Sequence, residues 1–250
     1  MADHRLTIDP ARQPARTLRQ LAAAACLALA TVAAGTTAAA TAHADQPADA
    51  EQPAHAAETH AYGQDVSNYQ AAHDWAASGA TFGIVKATEG ADFTDRAFAR
   101  HWAEMGRHGI VRGAYHFAHP SNDPIIEADH FVSVVNRQPA RKGDLLALDL
   151  EVTDGMPAAH VNAWAKTWLA RVKARTGVTP LFYSSWTFAE TYGQGLGAYP
   201  LWVAHYGKPK GTVTPPAPWK TWTIHQYTDN PIDQNVTSVQ LDRLRALGRK

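Results

Sequence analysis

The sequence predicts an α/β protein: one irregular, TIM-like β/α barrel whose later strands have fewer crossover helices. Three observations lead there. Short β-type runs alternate with helical stretches from Tyr62 onward, the rhythm of a parallel sheet with crossovers. Seven or eight such runs fit into one region with no second linker, repeat or low-complexity array, which favours a closed barrel over an open sheet. The first run, in "YGQDVSNYQ", lacks the Gly-x-Gly-x-x-Gly turn of a dinucleotide site.

The expected strands are 62–67, 82–88, 112–119, 145–151, 180–185, 200–206 and 222–228. Helices are expected at 95–108, 124–136 and 158–175. The last opens behind Pro157 and stops at Gly177, as helix punctuation requires.

The chain ahead of this region reads differently. Arg5, Arg12, Arg16 and Arg19 precede an alanine-rich apolar run, 21–35, and the segment ends in "TAHA" at Ala44. A basic start, a short apolar centre and small residues at the end predict a secretory signal peptide over residues 1–44. The run is shorter than the roughly 20 apolar residues a membrane span needs. Residues 45–60, rich in Ala, Pro and acids, read as a disordered linker. A single folded domain is then expected over 61–250.

Cys26 is the one cysteine and lies in the signal segment, so the mature fold has to rest on its core, without disulfides or thiolate metal sites. Removing residues 1–44 leaves 19 basic and 21 acidic residues. That balance supplies no electrostatic reason to expect nucleic acid. The eight tryptophans and eight tyrosines suit sugar rings if exposed, although core packing is the ordinary use of an aromatic.

The run "LLALDLE", Leu145 to Glu151, places two carboxylates in an otherwise apolar strand. Alternation puts Ala147, Asp149 and Glu151 on one face and Leu146, Leu148 and Leu150 on the other. In a barrel the leucines face the helices, and the acids face inward at the C-terminal lip, where such barrels work. Asp65 near the end of the first strand and Asp233 after the last one reach the same rim. Tyr115, His116, Tyr183, Trp202 and Gln226 are candidate substrate-binding groups.

Plainer roles compete. Asp65 can cap the short helix that follows it, and Asp233 can be a turn residue. His116, Tyr115 and Tyr183 can be core residues. Asp149 beside Glu151 is harder to explain structurally, because burial and like charge both favour the protonated form of one acid. A carboxyl held protonated can protonate a leaving oxygen.

Two chemistries fit the rim: glycoside hydrolysis by carboxyl groups, or a metal-dependent hydrolase using His116, Asp149 and Asp65. No His-x-His or His-Glu-x-x-His pair supports the second, and no metal or cofactor is expected.

The segments "GQDVSNYQ", "FGIVKATEG", "GAYHFAH", "LALDLE", "FYSS", "LWVAHY" and "IHQYTDN…IDQN" occur in that order and span most of the region. As a set they resemble glycoside hydrolase family 25, the Chalaropsis-type lysozymes. The resemblance implies a groove across the C-terminal face of the barrel. It also implies cleavage of the β-1,4 bond from N-acetylmuramic acid to N-acetylglucosamine in peptidoglycan, with tolerance of O-acetylated muramic acid. Carried over by motif, Glu151 is the general acid and Asp149 its partner. Asp65 and Asp233 match the other acids, and Tyr115 lies near the reacting sugar. Attack by the substrate's N-acetyl oxygen, by a carboxylate or by water all stay open, with net retention through the N-acetyl group the working expectation. A wall-binding module without turnover is the alternative from another class. The resemblance implies peptidoglycan as the partner; the signal segment implies secretion with no membrane contact after cleavage, and a monomer is the default for a secreted hydrolase of this size.

Overall fold

The computed structural model describes residues 60–250. The signal segment and, apart from His60, the linker lie outside the described residues.

Nine strands and five helices follow one another. They are β1 (Tyr62–Val66), β2 (Phe82–Glu89), β3 (Phe93–Thr94), α1 (Phe98–Arg107), β4 (Val111–Phe117), α2 (Pro124–Val135), β5 (Leu145–Asp149), α3 (Ala158–Thr176), β6 (Leu181–Ser185), α4 (Trp186–Tyr192), β7 (Leu201–Ala204), β8 (Ile224–Thr228), β9 (Gln234–Thr237) and α5 (Leu241–Leu247). A 3-10 turn, Asn68–Gln70, follows β1. The sheet order is β1-β9-β8-β7-β6-β5-β4-β2, and β1 also pairs with β2, so eight strands close into a barrel with β3 hanging on β2.

Seven of the barrel strands run parallel; β9 is antiparallel to both β8 and β1. The expected β/α barrel is present, and the thinning of crossover helices is too, since β7 reaches β8 without one. The antiparallel closing strand departs from the parallel sheet that the strand–helix rhythm predicts. A strand entered by a tight return from β8 has to run antiparallel, because a parallel entry needs a crossover of a dozen or more residues.

Strand alternation sorts side chains into two cores. Phe82, Ile84, Tyr115, Leu145, Ala147, Leu181, Tyr183, Trp202 and Ile224 fill the lumen. Val85, Ala114, Leu146, Leu148, Leu150, Phe182 and Val203 face outward onto Phe131, Trp164, Trp168 and Leu169 of the helices. Filling is tight enough to dictate a glycine: a Cβ on Gly63 would lie 2.4 Å from the Phe82 ring. The inner row of β1 therefore runs Gly63 then Asp65, with no side chain below the acid on its own strand.

Helix ends follow their sequence signals. Asp123 caps α2 with Pro124 in its first turn, and α3 ends at Gly177 in the left-handed conformation, φ 74°. The turn after β1 is capped by Ser67, with Gln70 returning to the Ser67 N–H. Ser67 thus takes the capping role that Asp65 could have filled.

One ion pair is sealed on the outer side. Arg112 of β4 grips Asp144 through Nε at 2.9 Å and Nη2 at 2.8 Å, under the Trp102 ring 4.3 Å away. Asp144 also accepts the Arg141 N–H at 2.7 Å. Both side chains are almost fully buried, so removing one partner leaves an uncompensated charge. Asp144→Ala is expected to lose about 3–5 kcal/mol in urea unfolding; a loss below about 1 kcal/mol would show that the pair contributes little.

Candidate active site

Asp65 and Asp149 end inner rows of the barrel, and each is 5 % exposed. Buried carboxylates require donors, and Asp65 has two. Its Oδ2 accepts Gln226 Nε2 from β8 and Asn235 Nδ2 from β9, both at 2.7 Å. Gln226 Oε1 in turn accepts the Tyr183 hydroxyl at 2.8 Å and the Tyr206 hydroxyl at 2.6 Å. Asn235 Oδ1 accepts Trp202 Nε1 at 2.8 Å. Every amide orientation in this chain is fixed, because a carboxylate only accepts and an indole only donates.

Asp149 stands beside Tyr183 in the β5–β6 register and beside Phe117 in the β4–β5 register. The Asp65 backbone N–H reaches the Asp233 carbonyl at 3.3 Å, tying β1 to the segment before β9. Burial, then the negative charge of Glu151, Asp149 and Asp65, pushes the Tyr183 phenol well above its ordinary pKa. Tyr206 is pushed up by burial and by Asp233, Asp65 and Glu151. Both phenols therefore keep their protons and remain donors. The four acids are brought into one electrostatic neighbourhood around two tyrosines.

Glu151 differs from the sequence expectation in one respect. Strand β5 stops at Asp149, so Glu151 belongs to the loop beyond it and is partly exposed. That loop is held on both flanks. On one, Leu150 N donates to the Tyr183 carbonyl at 3.0 Å, and Ser184 Oγ donates to the Leu150 carbonyl at 2.6 Å. On the other, Asp154 accepts His119 Nδ1 at 3.1 Å and the Ser121 hydroxyl at 3.2 Å. Asp154 is the non-glycine residue with positive φ among the described residues, 50°, and these bonds hold it there.

His119 Nε2 also meets Glu89 at 3.2 Å, and Glu89 pairs with Lys86, whose ammonium lies 4.9 Å over the Phe117 ring. Lys86, Glu89 and His119 come from the segments "FGIVKATEG" and "GAYHFAH", and sequence reasoning gave them no role.

Two candidates move. His116 points out of the barrel and has no exposure. It stacks on Trp168 at 5.3 Å and bonds Glu127 at 2.7 Å and Thr88 at 2.8 Å. Burial lowers its pKa against the pull of Glu127. The neutral ring donates from Nε2 to the carboxylate and accepts the Thr88 hydroxyl at Nδ1. It is a core histidine, removed from the substrate-binding set and from any ligand trio with Asp149 and Asp65. Trp202 does face inward but is 1 % exposed; it forms the floor under the acids, its ring tilted against that of Tyr183 at 4.3 Å. Tyr115, 3 % exposed, packs beside it. Tyr183 and Gln226 are in the network. Tyr206 and Asn235 were missed. Tyr206 could have been found as the next inward position after Trp202 and Ala204, whereas Asn235 carried no strand signal.

A β/α barrel with several carboxylates gathered at the strand ends is an arrangement that carboxyl-catalysed hydrolases use. The profile of the glycosyl hydrolases family 25 matches residues 64–236. Lysozyme M1 of Streptomyces globisporus is 31 % identical over 208 residues, covering 74 % of this chain and 70 % of its own. An N,O-diacetylmuramidase of a Chalaropsis species is 33 % identical over 190 residues, 67 % of this chain and 87 % of its own. The crystal structure of a bacterial lysozyme from Streptomyces coelicolor superposes with TM-score 0.67 at 31 % identity, covering 75 % of this chain and 96 % of that one. A family GH25 lysozyme from Aspergillus fumigatus gives 0.69 at 27 % identity, with 77 % and 100 % covered. The chain belongs to glycosyl hydrolases family 25 and is a glycoside hydrolase.

The clamp on the Glu151 loop has a defined pH window. His119 is raised to about 9, first by Glu89 and then by Asp154, and Glu89 is lowered to about 2, first by its bond to His119 and then by Lys86, against burial. A raised histidine stabilises fully below its unfolded value and loses that contribution as pH rises through about 9. A depressed carboxylate contributes above its unfolded value and loses the contribution as pH falls through about 2. The Tm difference between the protein and His119→Gln is therefore expected to be largest near pH 5–6 and to shrink above pH 9 and toward pH 2. A difference independent of pH would disprove the charged clamp.

Proposed function

We propose that this hydrolase is a secreted lysozyme that cuts the β-1,4 bond between N-acetylmuramic acid and N-acetylglucosamine in bacterial peptidoglycan. The observation that carries the reading is the division of labour among the acids. Asp65 and Asp149 are buried in the strand ends, while Glu151 stands beyond them on a pinned, partly exposed loop. The relatives named lysozyme and N,O-diacetylmuramidase support the substrate.

In this reading Glu151 donates a proton to the glycosidic oxygen as the bond to the muramic acid carbon breaks. The carboxylates of Asp149 and Asp65 stabilise the positive charge that develops on the sugar. Water completes the hydrolysis and returns a proton to Glu151, leaving a new reducing end. Asp233, at the opposite side of the rim from β5, and Tyr206 would line the sugar's path. O-acetylated muramic acid is expected to be accepted.

Release of reducing ends from purified peptidoglycan tests the assignment. Glu151→Gln keeps the shape and removes the titratable acid, so turnover is expected to fall at least about 100-fold, within the 10²–10⁴ range of such catalysis. Equal cutting by both would remove Glu151 as the acid. Binding to wall without new ends from the unaltered protein would favour a binding module.

Export accompanies this function, because the polymer lies outside the cell membrane. Among the described residues no helix is long and apolar enough to cross a membrane. N-terminal sequencing of protein from the culture medium is expected to begin at or near Asp45; a chain still carrying Arg19 would refute cleavage of a signal peptide.

A further inference from the structure

The two ends of the barrel carry opposite charge. Asp65, Asp149, Glu151, Asp154 and Asp233 gather where the parallel strands end. At the other end, the α2–β5 loop, the close of α3 and the C-terminal segment lie together: the Gly143 N–H donates to the Arg249 carbonyl, and the Arg249 N–H to the Asp144 carbonyl. Residues 137–144, 173–180 and 238–250 contain two acids, Asp144 and Asp242, and Asp144 is consumed by Arg112.

Arg141, Lys142, Arg249 and Lys250 line a concave site of about 370 Å³, with Thr176 and Gly177 at its edge. Arg137, Lys173, Arg243 and Arg245 are exposed in the same three segments. None of these cations forms an ion pair among the described residues. Arg249 Nε is buried and has no hydrogen-bond partner. Unneutralised like charges brought together repel one another and favour a bound polyanion.

The kind of polyanion follows from what surrounds the patch. A membrane surface calls for apolar side chains beside the cations. Among the described residues the exposed large apolar ones are Tyr69, Phe93, Ile125, Ile126 and Tyr206, and each lies in a segment that follows the C-terminal end of a strand, on the acidic face. Single-stranded nucleic acid calls for exposed aromatic stacking platforms, and the aromatics at the basic end, Tyr199 and Trp222, are half-buried against the core. A flexible phosphate polymer needs only spaced cations and a shallow recess.

We propose that the basic end of the barrel holds the polyol-phosphate polymer that many bacterial walls carry on their glycan, while the acidic end works on the glycan itself. The choice of this polyanion rests on the peptidoglycan reading above. The same charge separation orients the enzyme, because the acidic rim repels the polymer that the base attracts.

Retention of the protein on one wall preparation, intact and after hydrofluoric acid has stripped its polyol phosphate, tests this. At low salt the intact wall is expected to hold the protein at least about tenfold more tightly, and about 1 M salt, which screens beyond roughly 3 Å, to abolish the difference. The triple variant Lys142→Glu, Arg245→Glu, Lys250→Glu alters exposed side chains and is expected to lose the preference. Its unchanged release of reducing ends from stripped wall would show that it folds. Equal retention of the unaltered protein on both walls overturns the proposal, as does a variant that keeps the preference. Stronger competition by anionic vesicles or DNA than by free polyol phosphate also overturns it. Salt-sensitive retention without any cutting would keep the basic site and remove the lysozyme reading, so the two can fail separately.

Discussion

Asp65 cannot be buried at the mouth of the barrel unless donors from the other end of the chain reach it. Those donors, Gln226 and Asn235, are 161 and 170 residues away in sequence. They arrive only because β9 pairs with β1 and closes the barrel. An isolated carboxylate costs several kcal/mol to desolvate, so an open barrel would expose Asp65 to water and leave two amides without their acceptor. Closure of the sheet and assembly of the site are the same event. The tyrosines extend the dependence to β6 and to the segment after β7, since Gln226 donates in the right direction only while its oxygen is occupied by two phenols.

Glu151 shows the opposite solution. In the proposed role of proton donor it would have to meet the substrate, so it could not be sealed like Asp65. It is carried past the end of β5, where sheet bonds no longer hold the backbone. Precision is recovered from neighbours: β6 fixes Leu150, and the His119–Asp154 contact fixes the far side of the loop. His119 is itself set between acids from β2 and from the loop. The residues of "KATEG" and "YHFAH" that touch no candidate catalytic atom thus gain a physical reason to be present.

Much of this was legible in the sequence, and the losses have specific causes. Leu145 to Leu150 gave both faces of β5 correctly, because alternating leucines and acids leave one arrangement that buries apolar area. Barrel closure was legible from the number of runs, but β9 was not. Its four residues, "QNVT", open on Gln and Asn and hold only two strand formers, Val236 and Thr237, and its neighbours Pro231 and Asp233 read as a turn. Asn235 was lost with it. His116 was misplaced by ignoring the same alternation that worked for β5: if Tyr115 faces inward, its neighbour faces the helices. Asp65 was ambiguous because its competing role as a cap could be excluded only by seeing Ser67 take it.

Trp202 failed for a different reason, and that reason limits what any strand residue of this barrel can do. Its direction was right and its depth was wrong. The lumen is packed with Phe82, Tyr115, Tyr183 and Trp202 up to the level of the acids, so no sugar descends past them. Only the last inward residue of each strand, and the loop after it, can touch a polymer lying across the face. Residues one layer down act through those above them. Trp202 holds Asn235, which holds Asp65. Tyr206, one inward position past the end of β7 and 37 % exposed, is the counterpart: its hydroxyl binds Gln226 while its ring faces solvent. Substrate pressing on that ring would be felt, through a single amide, at a buried carboxylate.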